Sequence, residues 1–317
     1  MALSLFALAT ACVTDPVSSI STPQAPPSDA VAFTVLAGSD SKDLEPMVVK
    51  YGREHGATIT FAYAGSVDIA LQIQGGKLDA DAVWPASSVW LNYADRQHVV
   101  KSAQSVMRSP VVIGVRKSLA AELGWVGNPN VGIDDILEKS KSGRVRLAAT
   151  SASQSNTGAS MFFGVLSAFA GHPDVLTHEN LQDPAVQKGT RAFLHQIDVS
   201  AGSSGFLGAQ YLADPERFNT MVNYEALVID ANQKLTAQGL EPLYAVYPSD
   251  ALPIADFPLG YIDHGDARKK ELFDGLQTFL ASDAGRAEIE SHGRRAGLGL
   301  DVSNPNPSVF NPDWGID

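Results

Sequence analysis

The sequence predicts an α/β fold, a mostly parallel sheet flanked by helices, in a chain long enough for two lobes. Three observations lead there. Short β-rich runs alternate with helical stretches from Ala32 onward. The 317 residues suffice for two cores of ordinary size. The most continuous apolar run in the middle of the chain, SPVVIGVRK at 109–117, suits a buried strand crossing from one lobe to another.

The elements follow in order. FTVLAGS at 33–39 is a strand running into a Gly-Ser corner, and DSKDLEPMVVKYGREHG then has helical spacing to about His55. ATITFAY precedes the helix VDIALQIQGG, and ADAVW precedes SSVWLNYAD. After SPVVIGVRK come a helix around Asp134–Lys141, the strand VRLAAT, helices from about Thr157 to Phe169 and from Pro184 to about Gln196, and a turn at AGSSG. MVNYEALVID, LYAVYP and FPLGYID lead to two amphipathic helices around 266–281 and 284–292. The tail, SNPNPSVFNPDWGID, is rich in Pro and Asn and reads as extended along the surface.

Composition narrows the function classes. Hydrophobic residues make up 44% and charged residues 18%, as in a soluble globular protein, and the longest apolar stretch, Met1 to Val13, falls short of the ~20 residues a spanning helix needs. A net charge of −12 with scattered basic residues argues against nucleic acid. The sole cysteine, Cys12, excludes an intramolecular disulfide and any multi-cysteine zinc site. MALSLFALATAC at 1–12 has the form of an export segment ending in a lipidated cysteine, although no Lys or Arg precedes its apolar run; a buried apolar element is the alternative. Residues 13–31, rich in Ser, Thr and Pro, read as a flexible tether.

The Gly-Ser corner recurs. Gly65-Ser66 precedes a helix; Ser153, Ser155, Asn156 and Thr157 lie between a strand and an apolar helix; Ser203 and Ser204 precede another; and Asn223 stands before Glu225. In α/β sheets ligands bind beyond the carboxyl ends of strands, where a helix start presents free N–H groups. Each corner is equally explained as an N-cap. The recurrence, from segments able to face each other across a cleft, points to a polar ligand site. Trp84 and Trp90 suit either stacking on a ligand or core packing. Asp40, Asp68 and Glu225 repel an anion if they face the cleft and suit an ammonium group; they serve equally as helix N-terminal carboxylates.

An enzyme needs a reactive constellation, and the sequence has no GxSxG, HExxH, GxxxxGK[ST] or GxGxxG motif. Its seven histidines are dispersed; His172 and His178 with Asp174 and Glu179 form a conceivable metal loop that reads more simply as solvated. No catalytic residue, resident metal or cofactor is expected. A hydrolytic enzyme assembled from distant residues and a surface interaction scaffold remain as alternatives.

The run FAYAGSVDIALQIQGGKLDADAVWPAS resembles bacterial extracellular solute-binding proteins of the periplasmic-binding-protein type II fold, in particular the molybdate-binding branch. SPVVIGV, SNTGAS, AGSSGFLG, MVNYEALVI and EPLYAVYP are similar to the subfamily whose solute-binding domain is often fused to a von Willebrand factor A domain. The resemblance implies two α/β lobes, 32–108 plus 240–317 and 109–239, joined by two crossing segments. It implies an extracytoplasmic monomer, held to the membrane only through lipid at Cys12, that captures a small polar solute, a tetrahedral oxyanion being one candidate, for transport or sensing. The implied cleft is lined by Ser39, Ser66, Ser155, Asn156, Thr157, Ser203, Asn223 and Tyr224. Ser39 and Ser66 match the branch's first two serine positions and Asn223-Tyr224 lies near its late tyrosine, while the middle segment differs. A membrane transporter of the ABC class and a von Willebrand factor A-type module are the implied partners.

Overall fold

The computed structural model describes residues 29–76, 78–297, 299–302 and 305–316. The export-like segment, Cys12 and nearly all of the tether lie outside the described residues. Among these residues no helix is long and apolar enough to cross a membrane.

The first lobe begins β1 (Val31–Gly38), a 3₁₀ turn Ser39–Leu44, α1 (Glu45–Glu54), β2 (Ala57–Ala64), α2 (Ser66–Gln74), β3 (Ala82–Trp84), α3 (Ser88–Ala94) and β4 (Val100–Ser105). The second contains β5 (Ser109–Arg116), α4 (Lys117–Glu122), α5 (Ile133–Lys141), β6 (Leu147–Thr150), α6 (Asn156–Phe169), α7 (His178–Gln182), α8 (Pro184–Leu194), β7 (Ile197–Ala201), α9 (Ser204–Ala213), β8 (Thr220–Tyr224), α10 (Glu225–Ala237) and β9 (Leu243–Val246). The chain returns through β10 (Ile254–Ala255) to β11 (Pro258–Ile262), α11 (Ala267–Ala281) and α12 (Asp283–Ser291).

The first sheet has the order β2-β1-β3-β11-β4 and the second β10-β5-β8-β6-β7, with β9 added beside β5. β1 pairs in parallel with β2 on one side and β3 on the other, and its residues from Val35 to Gly38 are all buried. The edge strand β2 instead alternates buried and exposed residues from Ala57 to Thr60, as a strand covered on one face does. Both sheets are mixed, because β11 runs antiparallel to β3 and β4, and β5 antiparallel to β8 and β9. The expected mostly parallel sheet holds for β1–β3 and for β6–β8. The antiparallel strands are those that carry the chain between lobes, which a local βα pattern does not reveal.

One apolar cluster joins the lobes. It runs from Phe33, Val35 and Trp84 through Met107, Tyr224 and Phe257 to Ile133, Val165 and Phe193. Each such large side chain contributes about 1.5–3 kcal/mol when fully buried. Separate clusters fill the outer face of each sheet, Ile69, Ile73 and Leu91 in the first lobe and Leu207, Met221 and Ile229 in the second.

Two expectations are corrected. The return to the first lobe, expected at 240, comes later, because Leu243–Val246 pairs with Arg116–Ile113 in the second sheet. The C-terminal tail is no loose surface strand: Val309, Phe310, Trp314 and Ile316 are buried in the second lobe's outer cluster. Pro and Asn dominate the tail's composition, but four apolar side chains spaced along it suffice to seat it. The chain therefore passes between lobes a third time after Arg295, whose backbone exchanges hydrogen bonds with Arg108 of the first crossing at 2.7 and 3.1 Å.

Candidate functional site

Six parallel strands end at one seam. β1, β2 and β3 deliver Gly38, Ala64 and Trp84 from the first lobe, and β6, β7 and β8 deliver Thr150, Ala201 and Tyr224 from the second. β1 neighbours both β2 and β3, so its carboxyl end is the switch point at which α/β sheets bind ligands.

The recurring corners meet here. Ser39 Oγ donates to Ser203 Oγ at 2.7 Å and accepts from the Gly205 N–H at 3.0 Å. The Val67 N–H donates to the Gln154 carbonyl at 3.1 Å, and Trp90 Nε1 to Asn156 Oδ1 at 2.7 Å. All four bonds cross from one lobe to the other. On the second lobe Ser155, Thr157 and Ser204 form a ring of hydroxyls with separations of 3.0–3.2 Å, backed by Thr150 at 2.7 Å from Thr157. Asn156 Nδ2 donates to the Tyr224 hydroxyl at 2.9 Å, Asn223 Nδ2 to the Ser204 carbonyl at 3.0 Å, and on the first lobe the Ala86 N–H donates to Ser66 Oγ at 2.9 Å. The eight residues singled out in the sequence are between 0 and 5% exposed, so the seam is closed over them.

These hydroxyls are not ordinary caps. The 3₁₀ turn at Ser39 and the starts of α2, α6, α9 and α10 make no side-chain capping hydrogen bond. Elsewhere Ser87, Thr177, Asp183, Asp266 and Ser282 cap their helices in the usual way. α1, α4 and α5 also lack such a cap; what sets the seam apart is that its helix-start N–H groups and hydroxyls bond across to the other lobe or to one another.

Two glycines make the closure possible. A Cβ on Gly65 would fall 2.2 Å from the Gln154 carbonyl oxygen, and one on Gly205 2.4 Å from the Ser39 carbonyl oxygen, both on the opposite lobe. Sequence reading missed Gly65, Gly205 and Ser204 as site residues. The Gly-Ser pairing of the corners was the available signal: each pair couples a hydroxyl with a residue that admits another backbone.

The tryptophans separate. Trp84 is core, wholly buried with Nε1 on the Phe257 carbonyl at 3.1 Å, while Trp90 bridges the lobes. The acids separate too. Glu225 turns away from the seam and forms a two-pronged ion pair with Arg295 at 2.8 and 2.9 Å, with the Tyr247 hydroxyl donating to the same carboxylate. Asp68 is partly exposed on α2. Asp40 alone lies buried at the seam, 4% exposed. His172, Asp174, His178 and Glu179 are exposed, and among the described residues no three metal-ligating side chains cluster.

Burial raises the Asp40 carboxyl from 3.8 to about 6, against the pull of its own backbone N–H and of the Arg294 charge. Burial acts on Asp43 as well, but there the Arg294 charge, with hydrogen bonds from His292 and Arg294, prevails and holds the group at about 2. Because Asp40 takes up its proton more readily folded than unfolded, folding stability falls as pH rises from about 4 to 6 and stays reduced above. Asp40→Asn should therefore stabilise the protein at pH 7.5 by about 2–4 kcal/mol, with little effect at pH 4. Chemical denaturation at the two pH values measures this; equal effects at both would contradict it.

Beside Asp40 a groove of about 390 Å³ opens between the lobes, lined by Ser39, Lys42, Tyr63, Gly205, Phe206 and Lys234 among others.

Solved structures of similar fold are periplasmic binding proteins. The sulfate-binding protein SubI from Mycobacterium tuberculosis H37Rv superposes with a TM-score of 0.60 at 15% identity, over 84% of this chain and 88% of that one. The periplasmic binding protein AfuA from Actinobacillus pleuropneumoniae, solved with fructose-6-phosphate, gives 0.63 at 10% identity over 88% of each chain. A periplasmic thiamin binding protein gives 0.61 at 12% identity over 86% of each. At these identities the likeness is one of fold. A search of curated protein sequences finds no match. The model of the bacterial extracellular solute-binding protein family matches residues 33–295, from the first strand through the last helix and both sides of the seam, and the chain belongs to that family.

Proposed function

We propose that the chain binds a small polar solute between its lobes, at the seam formed by Ser39, Ser66, Ser155, Asn156, Thr157, Ser203, Asn223 and Tyr224, and passes it to a membrane transporter or reports it to a sensor. One observation carries this reading: five strand-to-helix corners drawn from two lobes meet without a side-chain cap from their own N-cap residues, and two of their helix-start N–H groups reach instead across to the opposite lobe. Membership of the family brings with it an extracytoplasmic location, and attachment through lipid at Cys12 is part of the proposal. Donors contributed by both lobes bind a solute fully only when the lobes close, so solute favours the closed form. No histidine among the described residues hydrogen-bonds a seam hydroxyl, and the proposed role is binding without chemistry.

Alanine at Ser39 or at Ser66 should weaken solute binding at least tenfold. Each removes a hydrogen-bonding hydroxyl worth about 1.5–3 kcal/mol where the solute group is charged. Calorimetric titration measures the loss, and unchanged affinity in both variants would remove the seam from consideration.

A further inference from the structure

Asp40 is the unexplained group of the seam. Its carboxylate is 4% exposed and is met by its own backbone N–H and by a 3.5 Å contact from Ser41 Oγ, and among the described residues no cationic side chain hydrogen-bonds it. A Cβ on Gly38 would meet Asp40 Oδ1 at 2.6 Å, so the glycine leaves room for this carboxylate. Arg294 offsets its charge only in part. That guanidinium holds the Asp43 carboxylate, with Nη2 2.7 Å from Oδ1, and reaches only the backbone carbonyl of Asp40. Asp40 lines the interlobe groove together with Ser39 and Gly205, the adjoining Ser39 bonds Ser203 and Gly205 of the other lobe, and the Asp40 charge acts on the Tyr224 hydroxyl. The other charges on that groove are Lys42, Asp43, Asp230 and Lys234. Lys234 is engaged by Asp230 at 2.7 Å, and Lys42 is exposed.

A buried carboxylate whose nearby guanidinium is already paired with Asp43 leaves the seam short of one positive charge. Within the reading given above, we propose that the solute supplies it: the seam takes a small molecule carrying an ammonium or similar cationic N–H group directed at Asp40, with its polar or anionic end on the hydroxyls and N–H groups of the corners and any further substituent in the groove. Such a ligand is zwitterionic, or cationic with hydrogen-bond acceptors. A simple dianion meets the Asp40 charge and is disfavoured.

The test uses probe pairs that differ by one ammonium group: 2-aminoethylphosphonate against ethylphosphonate, β-alanine against propionate, and taurine against ethanesulfonate, with inorganic sulfate and phosphate beside them. Each is titrated calorimetrically into the wild-type chain, Asp40→Asn and Asp40→Ser, with folding confirmed by circular dichroism. The expected result is at least tenfold tighter binding of the amino member in one or more pairs, lost in both variants. Equal binding within every pair, tighter binding of sulfate or phosphate than of any amine, or a preference for amines that survives both substitutions would overturn the inference and leave the cleft reading intact. Absence of binding by every probe at millimolar concentration would overturn the inference, while the Ser39 and Ser66 variants test the cleft separately with whatever other solute binds.

Discussion

Gly65→Ala and Gly205→Ala proteins are expected to fold as well as the parent and to lose solute-driven closure. Gly65 has φ −70° and ψ 149°, a conformation open to alanine. Gly205 lies within α9, where alanine is the better helix former by about 1 kcal/mol. Neither backbone needs glycine for its own sake. The obstacle lies wholly across the seam, where the added methyl would stand 2.2 Å from the Gln154 carbonyl oxygen or 2.4 Å from that of Ser39. Both obstacles are backbone atoms, which cannot rotate aside as a side chain can. Closure is then held off, and solutes that rely on donors from both lobes should bind at least ~100-fold more weakly, equivalent to about 2.7 kcal/mol. Small-angle scattering with and without a binding probe, beside thermal unfolding, separates the two effects. Normal compaction in the variants would show that the lobes do not need this approach.

The largest stability effect is expected at Arg295. Its guanidinium pairs with Glu225 at 2.8 and 2.9 Å, with Glu225 fully buried and Arg295 8% exposed, and lies 5.6 Å from the Phe310 ring centroid. Arg295 follows the first lobe's last helix, Glu225 opens α10 of the second, and Phe310 belongs to the buried tail. One side chain thus fastens three segments behind the cleft. Arg295→Ala leaves the Glu225 carboxylate buried without its counter-charge, and unfolding stability should fall by about 3–5 kcal/mol. Replacing both partners with apolar residues of similar volume should cost much less, since no uncompensated charge remains. Urea unfolding of the two single variants and the double variant forms the cycle, and additive losses would show that the ion pair itself is unimportant.

Much of this molecule is legible in its sequence, for identifiable reasons. Helices such as Ile133–Lys141 and Asn156–Phe169 lie where periodicity predicts them, because their apolar faces repeat locally. The Gly-Ser corners are visible because strand, glycine, hydroxyl and helix follow one another within a few residues. What escaped depends on contacts remote in sequence. β9 joins the second sheet by pairing with β5, about 130 residues earlier. Glu225 looked like a seam acid until folding brought Arg295 to it across 70 residues. Asp40 could be weighed only as a charge of unknown direction, since its burial and the Arg294 guanidinium on its backbone carbonyl, 254 residues away, are not local in sequence.

The most direct test of the account is thermal unfolding of the full chain with a solute panel of oxyanions, amino acids, aminoalkyl phosphonates, sugar phosphates and thiamin, run in parallel on wild type and the Ser39→Ala/Ser66→Ala double variant. A solute present at ~100 times its dissociation constant adds about 2.7 kcal/mol of stability. At least one probe should raise the unfolding temperature of the wild type and fail to do so in the double variant. A panel that shifts neither protein, or shifts both equally, would contradict the assignment of the interlobe seam as the solute site.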